Sequence, residues 1–184
     1  MSYQNLRTKA LPRVDVKILV NFLVLSGVAT LLPALIHIQW VTGPIVNAIL
    51  FLSVVLVGGR NAILIGLIPS IMALFFGLLP TPLAPMIPFI MIGNAILIVI
   101  FDMLKNNYWL GVFVASGVKF LFLYFSYSAI IDLIFKKDLA PKIAQMLSWP
   151  QFATAVLGGI IAFGILKILK YKKFTDKPGL SETQ

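Results

Sequence analysis

Six long apolar runs, separated by short polar, glycine-rich or proline-rich links, fill nearly the whole chain. They are Ile18–Ile36, Pro44–Gly58, Ala62–Pro80, Met86–Leu104, Tyr108–Phe135 and Gln151–Leu169. A spanning helix takes about 20 consecutive apolar residues. In the bilayer core only helices and closed barrels satisfy their own backbone polar groups. The runs therefore predict an all-α, polytopic integral membrane protein with six transmembrane helices. The second run is the shortest, and its helix is either little tilted or begins earlier, near Trp40. The fifth is the longest and must tilt, bend or protrude. Composition agrees: 60% of the 184 residues are apolar and 11% charged, against about 25% charged in a soluble domain. The chain divides into a basic segment (1–17), a membrane domain (18–169) and a polar tail (170–184), with no stretch left for a soluble catalytic domain.

The net charge of +9 is unevenly placed. Arg7, Lys9, Arg13 and Lys17 precede the first run, and Lys167, Lys170, Lys172, Lys173 and Lys177 close or follow the last. Arg60 and Lys105 lie in the second and fourth links, on the same side in a six-span topology. The other side has Lys136, Lys137 and Lys142, all in the fifth link. The positive-inside rule then puts both termini in the cytoplasm, and a multi-pass protein of the cell membrane is expected. Basic tails of this kind meet anionic lipid headgroups, and nucleic acid is not an expected partner. No cleavable signal peptide is evident. The absence of cysteine excludes disulfides and thiolate chemistry.

The links differ. His37–Gly43 is external and carries the only histidine; Gly58–Asn61 is a tight cytoplasmic turn; Pro80–Pro88, with four prolines, is a stiff, extended external crossover; Lys105–Asn107 is short. The fifth, Lys136–Trp149, is the longest, and Ala140–Leu147 within it is expected as a short interfacial helix. No internal repeat is evident.

Lys119 lies inside the fifth run. An ammonium near the bilayer midplane costs about 2.5–3.5 kcal/mol on insertion scales, so it calls for a carboxylate, carbonyl groups or an anionic ligand. Two readings stand. Either Lys119 belongs to a polar site, with Ser126 and Tyr127 on the same helical face, or it pairs with Asp102 or Asp132 or snorkels. Asn94, midway along the fourth run, is either a second arm of that site or interhelical glue. His37, Gln39 and Trp40 either close over a solute or form an ordinary interfacial group, and Trp149, Gln151 and Thr154 have the same two readings. Asn47 is a weaker candidate. Small residues at four-residue spacing, Ser26 and Thr30 in the first run and Ala155 and Gly159 in the sixth, mark either a docking face for a partner or closer packing within the bundle. No metal site, cofactor or enzyme is expected: the six acids are dispersed, and no hydrolase, zinc-protease, P-loop or dinucleotide motif occurs.

Six runs with both ends inside, a proline-rich third link, and the stretches Gly66-Leu67-Ile68-Pro69-Ser70 and Pro85-Met86-Ile87-Pro88-Phe89-Ile90-Met91-Ile92-Gly93-Asn94 resemble the substrate-binding (S) components of energy-coupling factor (ECF) transporters. The resemblance covers nearly the whole chain. It implies a membrane-embedded binder of a vitamin or similar micronutrient, working with a transmembrane coupling subunit and two cytoplasmic ATPases. It also implies an outward-opening site from helices four to six, capped by the loop after the first helix. Those regions hold Asn94, Lys119, Tyr127, Gln151 and the His37–Trp40 loop. The family's paired alanines on the first helix are replaced here by Ser26 and Thr30. The expected solute is small and anionic. The alternatives are a structural or assembly subunit of a larger membrane complex, or a stand-alone carrier or channel.

Overall fold

The structure, a computed structural model, describes residues 15–36, 38–75, 85–134 and 148–169. Their regular structure is all helical: α1 (Val16–Leu35), α2 (Gln39–Val57), α3 (Gly59–Phe75), α4 (Ile87–Leu104), α5 (Tyr108–Ile134) and α6 (Trp149–Ile168). Five are long and apolar enough to cross a membrane; α3, with 17 residues, is shorter. The distribution of polarity fits a multi-pass membrane protein. Large apolar side chains such as Leu31, Phe113, Phe125 and Ile160 face outward, while Asn47, Ser53, Asn94, Ser116, Lys119 and Thr154 are buried. An exterior of that kind is untenable in water and natural in lipid.

Several helix boundaries differ from the expected ones, each for a local reason. Helix α2 begins at Gln39, so Gln39 and Trp40 belong to a helix and not to the loop expected at 37–43. Its first turn closes on the Ile38 carbonyl, which accepts from the Val41 and Thr42 backbone N–H groups and from the Thr42 hydroxyl. Pro44 stands inside this helix and removes the donor that the Trp40 carbonyl would have used. The α2–α3 turn is a single residue, Gly58, at φ 85°, a conformation other residues adopt only with strain. Residues 85–86 form one 3₁₀ turn, and Ile87 and Pro88 already belong to α4, so the second half of the proline-rich link is helical and not extended. Proline is tolerated there because a first-turn N–H has no helical partner to lose. The same holds for Pro150 in the first turn of α6. His37 and the expected interfacial helix at 140–147 lie outside the described residues.

Helix α2, whose apolar run is the shortest of the six, is the hub, packed against α1, α3, α4 and α6. Residues 47–54 are buried without interruption, which is why it shows no polar face. Its closest neighbour is α6, which runs parallel to it: Gly43 lies against Thr154, and Gly158 against Asn47, Ala48 and Pro44. A Cβ at position 158 would stand 2.7 Å from the Asn47 Cβ and 2.8 Å from the Ala48 nitrogen and the Pro44 carbonyl oxygen. Glycine there is what lets the two backbones touch. Helices α4 and α5 form an antiparallel pair, with Gly93 under Leu123 and Gly111 under Phe101. At the end away from the cavity described below, Phe51, Phe101, Tyr108 and Phe163 interlock, and the Tyr108 hydroxyl donates to the Gly159 carbonyl at 2.7 Å.

Candidate functional site

On α5 the buried positions Val112, Ala115, Ser116, Lys119 and Leu123 repeat at helical spacing. Lys119 therefore points inward, and its side chain is 3% exposed. It reaches the floor of a cavity of about 220 Å³. The wall comes from the last part of α1 (Pro33), the first turns of α2 (Thr42, Gly43, Val46, Asn47), the later part of α3 (Pro69, Ser70), the start of α4 (Ile87, Ile90, Asn94) and the start of α6 (Gln151). The cavity thus occupies one half of the bundle, the half where α1 and α3 finish and α2, α4 and α6 begin.

The Lys119 ammonium donates to the Asn47 Oδ1 at 2.7 Å and to the Asn94 Oδ1 at 2.9 Å. Neither amide is free to turn. The Asn47 Nδ2 donates to the Gly43 carbonyl of its own helix at 2.9 Å, and the Asn94 Nδ2 donates across to the Gly66 carbonyl of α3 at 3.2 Å. Both oxygens are thereby aimed at the ammonium, and the contact ties α2, α3, α4 and α5 together. Lysine carries three N–H donors, and two of them are used among the described residues. Among the described residues no carboxylate meets Lys119: the ion pair found there joins Asp102 and Lys105 at 2.8 Å, on neighbouring turns and partly exposed, and the side chain of Asp132, the other acid expected as a partner, lies outside the described residues. Such a pair contributes at most about 1 kcal/mol. Asp102 also lies against Gly59 at the start of α3, at the end opposite the cavity.

A buried ion carries a penalty of several kcal/mol even after relaxation. Two hydrogen bonds to a charged group return about 1.5–3 kcal/mol each. The amides make a lone ammonium tolerable without neutralising it, and a site remains that is electropositive and opens onto a cavity.

The structure brings Lys119, Asn94 and Gln151 onto one cavity and adds Asn47 as a direct partner. Tyr127 stands farther along α5, half-exposed and outside the cavity lining. Trp40 does not cover the cavity. It packs on Trp149, ring centroids 5.6 Å apart, with both rings at least half exposed. Gln39 is the first residue of α2. The docking positions fare unevenly. Ala155 and Gly159 are buried between helices of the bundle, and a Cβ at 159 would run into the Val112 side chain, so this pair serves internal packing and presents no outer face. Ser26 and Thr30 are half-buried, and the Thr30 hydroxyl donates to the Ser26 carbonyl at 2.9 Å.

Sequence reasoning underrated Asn47 and passed over Ser70. One signal was available for Asn47. The tetrapeptide Asn-Ala-Ile-Leu occurs at 47–50 and again at 94–97, and both asparagines serve Lys119. A third copy starts at Asn61, whose amide donates to the Val57 carbonyl at the α2–α3 turn.

Comparisons with family models, with curated proteins and with solved structures find no match to this chain.

Proposed function

We propose that the protein is the membrane-embedded solute-binding subunit of an ECF-type uptake transporter, taking a small anionic micronutrient from outside the cell. In this reading six helices span the cell membrane, both termini are cytoplasmic, and the cavity opens outward. The observation that carries it is Lys119: a buried ammonium held by two oriented amides, facing a cavity, with no acid beside it among the described residues. Lys119 receives the anionic group, Asn47 and Asn94 hold the ammonium in place, and Gln151 lies where the solute's other end would be. Energy would come from partners, a transmembrane coupling subunit and two cytoplasmic ATPases, because the chain has no nucleotide-binding motif. Docking through Ala155 and Gly159 is not part of this reading, since both are buried.

The burial of Lys119 inside the bundle weighs against an assembly subunit, in which the lysine would face a partner's acidic residue through the lipid. The stand-alone carrier is separated from the proposal by reconstitution. Vesicles holding only this chain should bind solute without accumulating it. Accumulation by the chain alone would contradict the proposal. In the same vesicles, single cysteines placed at Lys142 and at Lys105 should be labelled by an impermeant reagent from the outer and the inner face respectively; the reverse pattern, or labelling of both from one face, would overturn the topology.

A further inference from the structure

Charge matching narrows the solute further, on the premise that this cavity is a solute site. Lys119 is the one charged residue among the described residues that line the cavity. Its two partners are neutral amides, so they orient the ammonium and leave its unit charge uncancelled. A neutral solute leaves that charge in place. A phosphate monoester carries about −1.5 to −2 at pH 7 and brings excess negative charge against a wall whose other described residues are apolar, such as Pro33, Pro69 and Ile87, or neutral and polar, such as Thr42, Ser70 and Gln151. Uncompensated charge in such surroundings costs several kcal/mol. A single carboxylate balances the site one for one, and the proline, valine and isoleucine walls then suit an apolar body. Ser70 adds a hydroxyl on the same cavity.

We infer that the cavity is selective for a compact monocarboxylate with an apolar body, and that Asn47 and Asn94 set this selectivity by being amides where an acid would have neutralised Lys119. An aspartate at either position would form an internal ion pair and occupy the solute's electrostatic place. Position 47 is the better test, because the Asn47 Nδ2 donates only to a carbonyl of its own helix, whereas Asn94 also ties α4 to α3.

The experiment is isothermal titration of the detergent-purified full chain with benzoate, benzamide and phenyl phosphate, three probes sharing one ring. Benzoate is expected to bind at least ten-fold more tightly than either of the others. Asn47→Asp should lower benzoate affinity to the level of benzamide, while a cooperative thermal unfolding transition like that of the wild type shows that the variant is folded. Palmitate, too long for the cavity, should not displace benzoate; displacement would assign the carboxylate to a membrane lipid and overturn a compact, water-borne solute. Equal binding of benzoate and benzamide, a preference for phenyl phosphate, or an Asn47→Asp variant that keeps the benzoate preference would each overturn the monocarboxylate assignment and leave the cavity as a solute site of another class. Failure of all three probes to bind would overturn both the assignment and the solute site itself.

Discussion

Lys119 decides the chemistry because its surroundings stop short of cancelling it. Asn94 holds it from one side and is itself fixed by the Gly66 carbonyl, so one amide links the ammonium to the backbone of α3. Asn94→Ala removes both contacts and leaves a buried cation with one partner. The expected cost is about 1–3 kcal/mol of stability, the scale of an unsatisfied buried polar group. Thermal unfolding checks it, and the cost should shrink when Lys119→Met is added, because the two residues share one interaction. Additive losses would mean that the Asn94–Lys119 contact does not bear on stability. The prominence of Lys119 was legible in the sequence, since an ionisable group inside an apolar run declares itself. The role of Asn47 was not. On a helix that is apolar all round, periodicity does not tell the lipid side from the core side, and one amide on α2 gives no direction.

The helices show the same division. Runs α4 and α5 were legible nearly to the residue, because apolar content and length suffice to define a span. For α2 the sequence left a start near Trp40 as one of two alternatives, because its polar first turn and Pro44 look like loop, and the Ile38 carbonyl that closes the turn decides for the earlier start. The small residues of α6 were visible, but sequence left open whether they pack inward or outward. Gly158 settles that for its own face, since α2 backbone occupies the space a side chain would need. Gly158→Ala should therefore push α2 and α6 apart and destabilise the fold by about 1–3 kcal/mol, the usual cost of overpacking. Gly164→Ala is the matched control, because nothing lies within 4 Å of a Cβ there. Equal unfolding temperatures for the two variants would contradict the close α2–α6 contact.

The bundle is apolar outside and largely apolar within, and the buried Asn47, Ser70, Asn94 and Lys119 meet at one cavity between the bundle's middle and the end where α2, α4 and α6 begin. Every helix contributes to its wall, which is broader than the helix four-to-six site expected from the family resemblance. Since α1, α2 and α3 carry Pro33, Gly43 and Ser70 to the same cavity, a solute bound there, as proposed, would be linked to the packing of the bundle, and its binding should raise the stability of the whole chain. Native mass spectrometry of the purified protein, wild type beside Lys119→Ala, tests this directly. The wild type should retain one small acid, and the variant, still folded, should lose it, with affinity lower by about ten-fold or more. A wild type that carries only lipid after incubation with a panel of small carboxylates, or a variant that holds the same molecule as tightly, would contradict the account.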